Sequence, residues 1–488
     1  MKLQKQIAAL TALALLTCLA PAVPAHAEET ASGTCGENLT WTLEDGTLTI
    51  SGEGEMTDWN GNASVPWYSY ANNKDFTSIV IEPGVTDIGK FAFYGCRYVE
   101  TVSLPETVSA IGSDAFGSCT NLKSITIPEG VTVINKGTFT GCRAMGSVTL
   151  PESLLYIYEE AFSLCTSLTS VTIPRNVKGV GCRSFDGFRI NNRASFPSCT
   201  QLQSIKVDPE NTAYTSVDGV LYTTDMSTLV QYPGGRSGEY VFPDTVTHMA
   251  MKAFYGSLGL TSVSMPNPLT YQDPDMAKYG TSMDRMFDGC ANLKNVVLPD
   301  TLTEIPEAMF YGCTSLKALT IPESVTKIGP IACSGCTSLQ KIVIPESVTE
   351  IGQRAFEKCA SLTSVTILNP DCEIYDWSNT FAANAYDSKA YDTEIVFDAT
   401  IYGYEGSTAQ AYAEKYERRF LTLEALEQAQ QGDLDASGSV SVTDVVRMQR
   451  YLVNRTPLMS RQLALADLNQ DGRVNVIDLT LLKQQLIR

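Results

Sequence analysis

Two twelve-residue stretches near the C-terminus carry the residue types best suited to chemistry. DLNQDGRVNVID, residues 467–478, sets Asp467, Asn469 and Asp471 at positions 1, 3 and 5, Gly472 at position 6 and Asp478 at position 12. DLDASGSVSVTD, residues 433–444, sets Asp433, Asp435, Ser437, Gly438 and Asp444 in the same five places. Oxygen donors at alternate positions around a glycine turn wrap the chain about a hard cation; calcium takes six to eight oxygens at about 2.3–2.6 Å. Position 7 would give a backbone carbonyl, from Ser439 or Arg473. Position 9, Ser441 or Asn475, would ligate directly or through water. One such loop alone could be an Asp/Asn/Gly surface turn. Two in register, 34 residues apart, argue for two Ca2+ ions. The first loop, with Ser437 where an acid or amide is usual, is expected to bind more weakly.

These loops need flanking elements to hold them. Val440 and Val474 stand at position 8 of each, suited to pairing one loop with the other. A helical apolar pattern follows each: Val445, Met448, Leu452, then Leu479, Leu482, Leu486. The duplicated loop–helix unit, with Asp at position 12 and no long entering helix, resembles a type I dockerin, a small all-α module with two EF-hand-like calcium loops. The resemblance implies a partner, the cohesin module of a scaffoldin in a cellulosome-type complex. It also implies the reading residues: Val442, Thr443, Gln449 and Arg450 in the first half, Val476, Ile477, Lys483 and Gln484 in the second.

Catalytic constellations are sparse. The chain has two histidines, and only His248 lies outside the N-terminal apolar segment. Neither GxSxG nor HExxH accompanies it, so Ser-His-Asp, Cys-His and histidine–zinc chemistry lack their parts. Carboxylate pairs could cleave glycosides, but among 54 acidic residues such pairs arise by chance. We expect no enzyme. The net charge of −19 lies almost wholly before residue 430 and argues against nucleic acid or an anionic membrane as partner. Against that acidity, Arg183, Arg189 and Arg193 form a possible ligand loop; a solvated loop paired to local acids is the plainer reading.

Most of the chain repeats. Cys96, Cys119, Cys142 and Cys165, then Cys290, Cys313, Cys336 and Cys359, recur every 23 residues. Phe93, Phe116, Phe139, Phe162, Phe287, Phe310 and Phe356 stand three residues earlier, with Cys333 in the place of one phenylalanine. A residue fixed in every unit of a stacked array forms an internal ladder. We read these cysteines as buried thiols packing as small hydrophobes, with disulfides as the alternative; Cys35, Cys182, Cys333 and Cys372 fall off register. In CTSLTSVTIPRNVKGVGCRSF, residues 165–185, Leu168, Val171 and Ile173 alternate inward, Pro174 ends the strand and Phe185 fills the turn. Each unit has too few apolar residues to bury itself, so neighbours must stack. The pattern resembles the BspA-like, Treponema-type leucine-rich repeat, which implies a β-rich leucine-rich-repeat solenoid with N- and C-terminal caps.

The expected division is a signal peptide at 1–27, an N-terminal β cap at 28–77, repeats at 78–405, a C-terminal closure and linker at 399–428, and the dockerin at 429–488. Lys2, Lys5, the apolar run Ile7–Leu19 and the Ala25-His26-Ala27 cleavage site carry the first assignment; a lipoprotein box at Cys18 is the alternative. Insertions near 186–199, 208–240 and 267–286 break the period, the second read as an inserted hairpin; such insertions often mark a binding face. The outward strand position runs Ser103, Thr126, Thr149, Thr172, Lys206, Ser264, Val297, Thr320, Val343, Thr366. That small, β-branched row suits broad protein contact and lacks the aromatic platforms of a sugar groove. We therefore expect a secreted, non-catalytic recognition subunit with no membrane span. Its repeats would bind an unknown protein or cell-surface ligand, and its dockerin would attach it to a scaffold. An accessory of polysaccharide catabolism and an architectural spacer are the alternatives.

Overall fold

The 23-residue period folds as two ladders of short parallel strands. The computed structural model describes residues 31–182, 194–268, 284–382, 399–424, 430–437, 439–453, 458 and 460–487. In the first ladder Ser78–Ile81 pairs with Thr101–Ser103, Ser124–Thr126 with Ser147–Thr149, and Ser170–Ile173 with Ser204–Val207. In the second, Val85–Ile88 pairs with Ala110–Ile111, and Val133–Ile134, Tyr156–Tyr158 and Gly179–Cys182 follow one another. The later repeats continue both, with Lys341–Ile344 beside Ser364–Ile367, and Glu304–Ile305, Lys327–Ile328, Glu350–Ile351 and Glu373–Ile374 in sequence. Strand alternation sends Ile79, Ile125, Val171 and Ile205 inward, each nearly without solvent contact.

Phenylalanine and cysteine fill the turn between the ladders. Phe93, Phe116, Phe139 and Phe162 stack with centroids 5.3–5.6 Å apart, and Trp67 extends the stack below Phe93 at 5.4 Å. Its next ring is Phe196, 5.1 Å from Phe162. Phe185, expected to fill this turn, lies outside the described residues; the inserted residues carry the ring position on to Phe196. Ladder thiols donate to the carbonyl at the ring position of the preceding repeat: Cys119 to Phe93, Cys142 to Phe116 and Cys165 to Phe139, all at 3.2 Å, and Cys359 to Cys333, which stands in for the ring, at 3.3 Å. Cys199, which the period does not reach, does the same to Phe162 at 3.1 Å. The residue before the cysteine adopts a positive φ in every repeat, as at Gly95, Gly141, Gly289, Gly312 and Gly335, which is why glycine recurs there. Twelve cysteines among the described residues are free and buried, Cys35, Cys333 and Cys372 among them.

The segment 208–240 is more than a projecting hairpin. Tyr214–Val217, Val220–Thr223 and Thr228–Gln231 form an antiparallel meander whose last strand runs parallel to His248–Met249. Its two faces serve two cores. Leu221 and Val230 join the core that begins at Cys35; Val220, Tyr222 and Leu229 join the one that ends at Ala413. The meander is thus a spliced layer between two blocks of repeats. The insertions at 186–199 and 267–286 lie mostly outside the described residues.

Both ends of the stack are covered. Ala31–Thr34, Leu39–Glu44 and Thr47–Gly52 form an antiparallel sheet, turning at Asp45-Gly46 with positive φ at both. Thr47–Gly52 then pairs in parallel with Ser78–Ile81, shielding its open edge. At the far end Ser364–Ile367 pairs with Thr400–Gly403, which pairs with Arg419–Thr422. The helix Thr408–Lys415, capped by Ser407, lays Ala409, Tyr412 and Ala413 on the last core residues. The outward row is exposed from Ser103 to Val343, but Thr366 is buried, only 4% exposed, where the expectation placed it in solvent. It pairs with Tyr402, itself buried.

Beyond residue 430 the helices Val442–Leu452, Ser460–Ala466 and Val476–Gln485 enclose a separate small core of Leu434, Val445, Met448, Leu458, Leu465, Ala466 and Leu482. Val440 and Val474 pack against it, as do Leu452, Leu479 and Leu486. No helix among the described residues is long and apolar enough to cross a membrane.

Candidate metal centre and binding face

The first loop brings three carboxylates together. Asp433, Asp435 and Asp444 each offer an oxygen within 4.8 Å of the others. They are 0%, 5% and 0% exposed. Among the described residues no other group of three Asp, Glu, His or Cys side chains converges so closely. Backbone N–H groups fix them. Asp444 accepts from Asp435 N at 2.9 Å through Oδ1 and from Ser441 N at 2.8 Å through Oδ2. Ser437 N donates to Asp433 Oδ1 at 3.0 Å and to Asp435 Oδ1 at 3.2 Å. Arg419, on the closing strand Arg419–Thr422, stands 3.3 Å from Asp435 Oδ2. Burial alone would raise the Asp435 pKa, but the hydrogen bonds from Ser437 and the charge of Arg419 outweigh it and hold the carboxyl below its usual range.

Three carboxylates so deeply buried call for a cation. The donors are all hard oxygens, with neither sulfur nor imidazole, which fits calcium and not zinc. Asp433, Asp435 and Asp444 would hold it, with Ser437 and the Ser439 carbonyl at the rim; Ser437 Oγ already donates to that carbonyl at 3.1 Å.

The second loop repeats the plan in a more open form. Asp467 accepts from Asp471 N at 3.1 Å and Gly472 N at 2.8 Å, and Asp471 accepts from Arg473 N at 2.9 Å. Asn469 Oδ1 accepts from Asp471 N at 3.2 Å. Asp478 is buried and accepts from Leu468 N and Asn475 N, at 2.9 and 2.8 Å. Asp471 and Asn469 are exposed. In both loops position 9 is also a helix N-cap and position 12 closes a capping box: Ser441 with Asp444, and Asn475 with Asp478. One aspartate therefore ties each loop to the helix behind it.

Of the expected cohesin-reading residues, Val442, Val476 and Ile477 are 69%, 68% and 57% exposed. Thr443, Gln449, Arg450, Lys483 and Gln484 are exposed with them. Arg183, Arg189 and Arg193 lie outside the described residues. Four contacts had no sequence signal. Arg447 donates to Leu434 O at 2.8 Å and to Thr400 Oγ1 at 3.4 Å. Gln462 donates to the same Leu434 O at 2.8 Å and to Tyr402 Oη at 3.2 Å. Both are single polar residues with no repeat to mark them.

Comparison with known proteins agrees with this architecture. The BspA type leucine rich repeat region matches in six copies, over residues 63–191 and 281–381. The dockerin type I domain matches residues 431–487. A leucine rich cell surface protein from Faecalibacterium prausnitzii A2-165 is similar at 27% identity and TM-score 0.51, over 73% of this chain and 98% of that one. The pneumococcal vaccine antigen PcpA shares the fold at 18% identity and TM-score 0.54, over 80% of this chain and 98% of its own. No curated protein matches. The domains found are non-catalytic, and no enzyme domain is among them. Type I dockerin domains bind calcium and dock to cohesin. The chain carries a strand-rich BspA-type leucine-rich-repeat region followed by a C-terminal type I dockerin domain.

Proposed function

We propose that this protein is a secreted, non-catalytic recognition subunit: a capped solenoid that binds a protein or cell-surface ligand and is plugged into a cohesin-bearing scaffold by its dockerin. In this reading each EF-hand-like loop binds one calcium ion. The ligands are Asp433, Asp435, Ser437, Ser439, Ser441 and Asp444 in the first, and Asp467, Asn469, Asp471, Arg473, Asn475 and Asp478 in the second. The observation that carries the docking reading is the exposure of Val442, Val476 and Ile477 at the starts of two helices whose capping boxes are closed by the loop aspartates Asp444 and Asp478. Apolar side chains held in solvent beside a rigid loop are suited to the core of an interface. The outward strand row, with Val297 59% and Val343 45% exposed, supports a broad protein contact for the repeats.

A panel of cohesin modules tested against the intact protein, with calcium and with excess chelator, checks this. Capture by at least one cohesin in calcium and its loss in chelator is the expected result. Capture that is indifferent to chelator would refute the calcium-dependent plug.

A further inference from the structure

We infer that the dockerin is seated on the last rungs of the repeat ladder as part of one rigid body, and that calcium in its first loop holds it there. The contacts come from three separate elements. Arg447 of the helix Val442–Leu452 reaches Thr400, Gln462 of the helix Ser460–Ala466 reaches Tyr402, and Arg419 of the closing strand Arg419–Thr422 reaches Asp435. Thr400 and Tyr402 lie on the outward face of their strand, since Ile401 between them belongs to the core. From Ser103 to Val343 this face is open; Ser364 and Thr366 on the adjoining strand are 8% and 4% exposed, and here Thr400 and Tyr402 are 1% and 2% exposed and Gln462 is 3% exposed.

The seat meets the first calcium loop at two points. Arg447 and Gln462 both donate to the carbonyl of Leu434, position 2 of that loop, while bonding the repeats with a second hydrogen. Asp435, position 3, takes Arg419. The seat thus depends on the shape of the first loop: a cation held by Asp433, Asp435 and Asp444 would fix the Leu434 carbonyl where Arg447 and Gln462 meet it. Calcium should favour the seated form, and by reciprocity seating should tighten calcium binding in the first loop. The face expected to read cohesin stays free. Arg447 is five residues beyond Val442, about 140° around the helix at ~100° per residue. Gln449, seven residues beyond, returns to the Val442 side.

Thr400→Lys in the intact protein tests this. Thr400 pairs with Ser364 and Ser364 with Lys341, so the same register position already carries an exposed lysine two rungs earlier. A lysine there suits the repeats but places a second cation against Arg447. Small-angle scattering of the wild type should give a compact particle in calcium and a longer one in chelator. Thr400→Lys should be extended in both, and its calcium titration should show one site weakened about fivefold, at the low end of ordinary coupling. Ser147→Lys, an exposed position in an early strand, should behave as wild type. Tyr402→Phe removes only the oxygen that accepts from Gln462 and should shift both readouts the same way by less, keeping the test open should Thr400→Lys disturb the end rung. Scattering and calcium affinity unchanged in both variants would overturn the inference. Cohesin capture should survive in all of them, so a lost seat is distinguishable from a failed docking function.

Discussion

At the scale of the residue, the cysteines are the least expected feature of a chain expected to be exported, and their placement explains them. The thiols of Cys119, Cys142 and Cys165 each spend their one hydrogen on a buried carbonyl that also accepts a backbone N–H within its own turn, so a carbonyl oxygen with two lone pairs is fully used. Burial pushes the thiols of Cys96, Cys142 and Cys290 from an ordinary value of 9.0 up to about 12. Native protein should therefore label slowly with thiol reagents, and denaturation should release several labels; no thiol on denaturation would mean disulfides. The sign of the pH effect follows. Above pH ~9 the unfolded chain gives up thiol protons while the folded chain keeps them, so stability should fall as pH climbs from about 9 towards 12. Each such thiol contributes up to about 1.4 kcal/mol per pH unit. Denaturant midpoints measured from pH 8 to 11 check this, and Cys142→Ala should flatten the slope.

At the scale of the element, the phenylalanine stack is the spine of each block. Phe139 lies between two rings at 5.6 and 5.3 Å and is fully buried. Phe139→Ala should cost roughly 3–5 kcal/mol, read as a lower denaturant midpoint. In the C-terminal module, Asp444 and Asp478 each complete a helix capping box and close a loop. Removing calcium should cost helix in proportion: circular dichroism of the intact protein should lose helical signal on chelation and regain it with calcium. Full helicity in excess chelator would show that the capping boxes suffice alone. Both ladders and both loops were legible in the sequence because each repeats; a period of 23 and two loops in register are hard to produce by accident. What was illegible lacks repetition. Phe196 and Cys199 are shifted out of period by the residues inserted before them. The strands around Val220–Thr223 bury both faces, so they show no alternation to mark them as a layer between two cores. Thr366 matches its exposed counterparts in sequence and differs only in having Tyr402 beside it.

At the scale of the molecule, the two halves of the dockerin are near-copies that differ where they would meet a partner: Thr443 corresponds to Ile477, and Arg450 to Gln484. We expect the second half to dominate cohesin binding, since Ile477 gives an apolar anchor. The double variant Ile477→Ala with Lys483→Ala should lose more affinity by titration calorimetry than Thr443→Ala with Gln449→Ala; equal losses would mean either half can dock, and the reverse order would refute the assignment. The bond from a ladder thiol such as Cys142 or Cys165 to the turn before it has a further consequence. The step from Cys142 to Phe116 is the same as from Cys165 to Phe139. Excising residues 120–142 would thus leave Cys165 facing Phe116, its bond remade. Such a chain can be lengthened or shortened by whole units of about 4.8 Å without relearning how to fold, so the reach between its N-terminal cap and its point of attachment is a dimension open to tandem duplication, like the links of a chain.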